Sequence, residues 1–286
     1  MEKLGREREE AEDRQAATSW RFVPELGLII NQDQPGLVPQ TLAPLLDKRL
    51  ALKQRLAELP AWDPRRQSYK AKATAHKWLL VTCFGYLGYK NARFGRIEAH
   101  QAVTAYGREA LLQAKEAAEE MGFTVLHMYV DGLWVHRPGA SDPQTIQPLL
   151  LEIAGRTGLP IALDGIYRWV AFLPSRVDAR VPVANRYFGV FQDGSLKLRG
   201  VEARRGDTPP WIARRQTALI EALAALPGST AGPGCLPWLL RWLRASLAEL
   251  RSGRIPLEQL LAAQKLSRAL NEYHTPSPAA RAAAQL

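Results

Sequence analysis

Between Val38 and Leu59, Leu42, Leu45, Leu46, Leu52, Leu56 and Leu59 recur at the spacing of one helix face, and Pro60-Ala-Trp-Asp-Pro64 then stops the pattern. A second helical run restarts after Pro64 and reaches about Phe84. Two helices of this length with only about five residues between them are expected to fold back as an antiparallel hairpin. Beyond the glycines at 85, 88 and 95, residues 97–121 predict a third helix that Gly122 terminates. Phe123 to Val130 and Leu133 to His136 then read as two strands joined by Asp131-Gly132, a hairpin signal.

Further along, residues 143–155 predict a helix and Pro160 to Leu173 a strand. A second hairpin, Arg186 to Phe191 with Ser195 to Gly200, turns through Gln192-Asp193-Gly194. From Trp211 onward the pattern is helical, broken by residues 227–237, by Gly253 and by Pro256, and marks a candidate small domain. Helices alternating with antiparallel hairpins predict an α+β fold with an appended helical hairpin. Residues 1–18 are charged, carry no apolar stripe and read as a frayed helix or a disordered arm.

Composition narrows the class. With 47% hydrophobic and 23% charged residues, the 286-residue chain is globular. Its +10 formal charge points to a polyanionic partner, and the excess is localised: residues 184–286 hold 14 basic and 7 acidic side chains. Cys83 and Cys235 have no C-x-x-C or paired-His neighbours, which excludes a disulfide framework and a zinc site and fits a reducing compartment. The longest apolar stretch, Trp78 to Tyr89, is interrupted by Thr82, Gly85 and Gly88 and falls short of the ~20 residues of a membrane span. The mixed charge of Glu2 to Arg14 is unlike a secretory signal, so a cytoplasmic location and no membrane partner are expected.

Between Lys48 and Lys77 the helical hairpin carries nine basic residues against Glu58 and Asp63. A run like this is either a solvated face or an anion site. Arg49 and Lys53 stand at i and i+4, where like charges repel unless an anion lies between them. In an antiparallel hairpin Lys77, 28 residues after Arg49, returns to the same level. Three converging cations suit a triphosphate, with Arg binding as a fork and Lys as a point charge.

Lys77-Trp-Leu-Leu-Val81-Thr82-Cys-Phe84-Gly85-Tyr-Leu-Gly-Tyr89 resembles motif B of family B DNA polymerases, K-x-x-x-N-S-x-Y-G followed by Y-x-G-Y. The similarity continues through Asn91-Ala-Arg-Phe94 and Val103-Thr-Ala-Tyr-Gly-Arg108. Val81 stands where Asn is usual, Thr82 replaces Ser and Phe84 replaces Tyr, so the polar groups that check the minor groove and the sugar are changed. The resemblance implies dNTP contact by Arg49, Lys53, Lys77, Thr82 and Phe84.

The hairpin Val125 to Val135 is similar to motif C, D-T-D-S followed by apolar residues. Aligned from Leu133-Trp-Val135, Asp131 takes the place of the second Asp, the catalytic Mg²⁺ ligand, and Tyr129 that of the first. Leu163-Asp-Gly-Ile-Tyr167 resembles the acidic palm strand; Asp164 is either a carboxylate near the metals or a solvated acid at a strand bend. Asn185 to Gly189, Lys197 to Glu202 and Arg204 to Asp207 are similar to the primer-holding segments, which implies DNA contacts by Arg186, Tyr187, Lys197, Arg199, Arg204 and Arg205. Leu266 to Tyr273 matches the late thumb and adds Arg268.

Pro35-Gly-Leu-Val-Pro39 resembles the segment just after motif A, and no D-x-x-S-L-Y-P stands upstream of it. The expected organisation is therefore an arm and post-motif-A remnant at 1–34, fingers at 35–85, palm at 86–208 and a partial thumb at 209–286. The implied reaction is templated dNTP addition on primer-template DNA with Mg²⁺, or Mn²⁺ in its stead, and a second polypeptide supplying motif A and the exonuclease domain. A non-catalytic primer-template-binding module and an inactive relic are the alternative readings.

Overall fold

The computed structural model describes residues 20–226, 233–275 and 277–285; the expectation for residues 1–18 lies outside them. Two compact units are present, one made by the chain up to Met121 with Val130–Leu133, the other by Gly122–Tyr129 with the chain from Trp134 onward.

In the first unit a short antiparallel hairpin, β1 (Trp20–Val23) and β2 (Leu28–Asn31), precedes three long helices, α1 (Leu37–Glu58), α2 (Arg65–Leu87) and α3 (Ile97–Glu120). The most enclosed positions of α1 and its end are 42, 45, 49, 52, 56 and 59; those of α2 are 66, 69, 73, 76, 80, 83 and 87. Steps of three and four alternate throughout, the seam expected of two helices packed side by side. The loop between them is clasped at both ends. The buried Asp63 carboxylate accepts from Arg65 N, at 2.8 Å, and from Arg65 Nη2, at 2.7 Å. Arg66 Nη1 donates to the carbonyls of Leu56 and Leu59 at 2.7 and 2.5 Å, satisfying acceptors at the end of α1 that helix geometry leaves open.

Helix α3 buries a row of small residues, Ala102, Ala105, Ala114, Ala117 and Ala118. Small side chains let the hairpin come close, and Val23, fully buried, sits on Ala102 and Ala105 with Leu26, Leu28 and Tyr106 around it. Tyr106 Oη donates to Phe22 O at 3.0 Å and Arg108 pairs with Glu25 at 2.6 Å, so β1–β2 is strapped to α3 by polar contacts as well.

The strands β3 (Thr124–Tyr129) and β4 (Gly132–His136) form the first expected hairpin, but the connection is Val130-Asp131 and not Asp131-Gly132. Val130 adopts φ 53, left-handed backbone that a β-branched side chain disfavours, whereas Gly132 continues into β4. The Asp-Gly pair signalled the hairpin correctly and its register one residue late.

In the second unit α4 (Pro143–Thr157) is capped by Asp142, whose carboxylate accepts from Gln144 N at 2.7 Å, and ends at Gly158 with φ 66. Its buried residues, Ile146, Leu149 and Ile153, share one face. Strands β5 (Tyr167–Pro174), β6 (Pro182–Phe191) and β7 (Leu196–Arg199) make an antiparallel sheet in that order. The strand expected from Pro160 begins only at Tyr167. Ile166 O accepts from Gln192 N at 2.9 Å at the edge of the ladder, and the residues before it extend past the end of β6, so they have no ladder to join.

His127, Trp134, Phe172 and Tyr187 form an aromatic cluster with ring centroids 4.5 to 5.8 Å apart, and His127 Nε2 lies 2.9 Å from Ala184 O. Helices α5 (Pro210–Ala225) and α6 (Leu236–Arg251) follow. After Pro256, where further helix was expected, the chain runs through 3₁₀ turns and loops until the short α7 (Pro278–Ala283). The α+β class holds throughout.

Candidate nucleotide and primer-template site

The nucleotide-site candidates lie on the fingers-like hairpin α1–α2. Pairing the two seams outward from the clasped loop matches 59 with 66, 56 with 69, 52 with 73 and 49 with 76. Arg49 thus occupies the layer of His76, and Lys77 is the next residue. Arg49 is half-buried and its Nε is enclosed without a hydrogen-bond partner. An enclosed N–H with no acceptor costs about 1–3 kcal/mol, so an anion brought to Arg49 would recover energy that the free chain forgoes. Lys53 and Lys77 are exposed.

Thr82 and Phe84 are exposed near the end of α2. Phe84 is held from behind by a residue that sequence reasoning missed. The His100 ring stacks on it with centroids 4.2 Å apart and planes at 23°, while His100 Nδ1 lies 3.1 Å from Phe84 O. Gly88 makes this possible, since a Cβ there would come within 3.0 Å of the imidazole. His100 is 16 residues away on another helix, so no local pattern announced it.

Asp131 sits exposed in the β3–β4 turn, and its carboxylate makes no hydrogen bond or ion pair among the described residues. It is free to act as one oxygen ligand of a divalent ion, the donor type that Mg²⁺ takes. No group of three or more His, Cys, Asp or Glu side chains with metal-binding proximity occurs among the described residues, so Asp131 fits as a single ligand and not as a complete site. Tyr129, at the place of the first motif C Asp, is a half-exposed phenol and offers no carboxylate.

In the second unit Asp164 is engaged by Lys197, whose Nζ donates at 2.8 Å. Two residues expected in different roles, metal and DNA, therefore neutralise one another. Arg186 is also committed: its Nη2 donates to Glu202 Oε1 at 2.7 Å and its Nε to Gly200 O at 3.0 Å. Glu202 accepts from Gln216 Nε2 on α5 at 2.9 Å, and Gln216 Oε1 in turn accepts from Ala203 N at 2.6 Å. The Gln216 hydrogen bond first, and the Arg186 charge after it, hold the Glu202 carboxyl below its ordinary range.

Arg205 forms a two-bond pair with Asp207 at 2.9 and 2.7 Å. Tyr187, expected on DNA, is instead a core residue, only 4% exposed and packed on Trp134 and Phe172. In the alternation of β6 its side chain takes the inner face while Arg186 takes the outer one. Nearby, Tyr167 stacks on Phe191, and burial pushes its hydroxyl pKa up to about 12. The guanidinium groups of Arg199, Arg204 and Arg268 are exposed and unpartnered among the described residues. Of the expected DNA contacts these three alone carry uncommitted charge.

Residues 4–135 match the model of DNA polymerase family B. The DNA polymerase 2 of Aeropyrum pernix is 26% identical over 260 residues, which is 91% of this chain and 30% of that protein. The DNA polymerase 2 of Saccharolobus solfataricus is 33% identical over 168 residues, 59% of this chain and 23% of that protein. The chain is similar to the family B DNA polymerases. The family B DNA polymerase structure from Pyrobaculum calidifontis shares the fold, with a TM-score of 0.60 and 24% identity over 93% of this chain and 32% of that one. The chain thus spans about a third of the length of the family B polymerases it matches, and corresponds to a polymerase region. Among the described residues no helix is long and apolar enough to cross a membrane.

Proposed function

We propose that this chain is the fingers, palm and part of the thumb of a DNA-directed DNA polymerase that adds dNTPs to a primer on a template. The observation that carries the reading is the cation layer of the helical hairpin: Arg49, with an enclosed and unanswered Nε, faces the level of Lys77, with Lys53 one turn away on the same helix. Such a layer suits a triphosphate better than a lone phosphate, because three cations neutralise most of its charge.

In this reading Arg49 supplies fixed, directed donors, while Lys53 and Lys77 supply mobile point charges on the β- and γ-phosphates. The primer 3′-hydroxyl oxygen forms a bond to the α-phosphorus and the bond to the bridging oxygen breaks, so pyrophosphate leaves carrying charge that these cations stabilise. Phe84, backed by His100, forms an apolar wall at the nucleotide. Arg199, Arg204 and Arg268 hold the primer-template through its phosphates and position it without reading sequence.

Asp131 is proposed to hold one divalent ion, Mg²⁺ or Mn²⁺, which when bound offsets phosphate charge and lowers the pKa of the attacking hydroxyl. A two-ion site needs at least one more carboxylate. Its source is proposed to be a motif A segment outside the described residues, on a second polypeptide.

Primer extension tests both parts. The chain mixed with a separately expressed fragment bearing D-x-x-S-L-Y-P is expected to extend a primer in Mg²⁺ or Mn²⁺, and Asp131→Asn to abolish extension by at least about a hundredfold. Extension by the chain without the fragment would show that the second carboxylate is its own. Extension indifferent to Asp131 would overturn the metal assignment. Salt-sensitive DNA binding with no extension in any mixture would favour a non-catalytic primer-template module, the reading to which the single free carboxylate of Asp131 lends weight.

A further inference from the structure

We propose that the outer face of α6 docks an acidic amphipathic helix of another protein. Leu236, Leu240, Leu243, Leu247 and Leu250 follow one another in steps of four and three, and are 54%, 43%, 49%, 39% and 38% exposed. The flank of the helix on the far side of the stripe from its arginines is already occupied. Trp238 and Trp242 are half-buried, Ser246 is buried, and Glu249 pairs with Arg215 of α5, whose guanidinium lies 5.6 and 5.9 Å from the Trp211 and Trp242 rings. The leucine stripe thus lies beside the contact that α6 makes with α5 and outside it.

The width of the stripe indicates what covers it. Two apolar positions in every seven make a narrow seam, the width that one partner helix fills. A helix lying in a membrane surface needs a broader apolar face, and here the flank that would widen the stripe, with Trp242 and Ser246, is taken up by packing within the chain. Nucleic acid is no better a match, because a phosphate backbone gains nothing from leucine.

Charge then selects among helices. Arg244 and Arg251 border the stripe on one side with Arg241 beyond them, and none of the three makes an ion pair or hydrogen bond among the described residues. Glu249, the one acid of α6, is turned inward to Arg215. A second copy of this chain is a poor occupant: antiparallel pairing centred on Leu243 would set Arg244 against its own symmetry mate, and like charges at such positions repel. Aspartates or glutamates beside a leucine-rich seam would complement the arginines. This surface does not depend on the polymerase reading.

Two fluorescein-labelled synthetic peptides about three heptads long, with Leu at every a and d position and either Glu or Lys at every e and g position, serve as probes. Fluorescence anisotropy with the full chain is expected to show the Glu peptide binding about tenfold more tightly than the Lys peptide at low salt, with attraction at the arginines replaced by repulsion. Arg244→Glu with Arg251→Glu should reverse that preference. Leu243→Ser with Leu247→Ser should remove binding of the Glu peptide while leaving the far-ultraviolet circular dichroism and the primer-template affinity unchanged.

Equal affinity for the two peptides, binding of neither, or binding that survives the leucine substitutions would overturn the proposal. So would a sedimentation dimer of the chain alone that the leucine substitutions dissolve, which would make a second copy the occupant. Phosphatidylserine vesicles that displace the Glu peptide would assign the stripe to a membrane surface instead.

Discussion

At the scale of single residues, the decisive distinction is between cations that are free and cations that are already answered. Lys197, Arg186 and Arg205 each have a carboxylate partner, whereas Arg199, Arg204 and Arg268 have none among the described residues. Each exposed phosphate contact adds about 0.9 to the slope of log affinity against log salt. Changing Arg199, Arg204 and Arg268 together to Ala is therefore expected to flatten that slope by about 3 and weaken primer-template binding at low salt. Lys197→Ala should flatten it less, since Lys197 already faces Asp164. Anisotropy titrations at several salt concentrations measure both, and equal flattening would mean that the ion pairs open to meet DNA.

The sequence displayed all seven candidates alike. What it could not display was pairing, because Asp164 and Lys197 stand 33 residues apart and Arg186 and Glu202 stand 16 apart. Tyr187 was misjudged for a related reason: a Tyr beside an Arg on a strand looks like a surface pair, but β alternation sends the two to opposite faces.

At the scale of elements, the helical hairpin was the most legible feature, because leucine periodicity and two prolines are local signals and local signals survive folding. Its clasp was not, since Arg66 reaching back to the carbonyls of Leu56 and Leu59 is a matter of loop geometry. The β3–β4 connection shows the same limit: Asp-Gly marked the hairpin, yet the chain turns at Val130-Asp131 and accepts a left-handed Val. Strain of this kind, about 1–3 kcal/mol, lies beside the proposed metal ligand Asp131.

The join between β7 and α5 rests on Glu202, which is shared by Arg186 and Gln216. Its carboxyl pKa lies below the ordinary 4.5, so the unfolded chain binds its proton first on acidification. The linked stability is present above 4.5 and is lost as pH falls through the lower, folded value. Glu202→Gln should accordingly lower the Tm at pH 7 and shrink the drop in Tm between pH 5 and pH 3, as followed by thermal denaturation. An unchanged acid-side profile would show that Glu202 is not among the carboxylates that govern acid stability.

At the scale of the whole molecule, ordered motifs carried the resemblance to family B DNA polymerases where no single motif would have done so. The similarity of residues 4–135 to family B DNA polymerases, together with relatives aligned over 91% of the chain, agrees with a resemblance first visible in Lys77 to Tyr89 and Val125 to Val135. The α+β class followed from the alternation of long helices and short hairpins. The region after Pro256 was less legible because its Leu and Ala content suits helix, while the chain forms 3₁₀ turns there.

The central claim is that the helical hairpin grips the triphosphate, and dNTP binding to single variants tests it most directly. Isothermal titration of the chain with a dNTP is expected to show Lys77→Ala weakening binding by about tenfold or more, as loss of a charge-assisted contact to phosphate implies. Lys70→Ala, which removes a lysine of the same helix two layers nearer the loop, should change affinity less than about twofold. Equal losses in the two variants, or none in Lys77→Ala, would contradict the assignment of the Arg49, Lys53 and Lys77 layer as the nucleotide site.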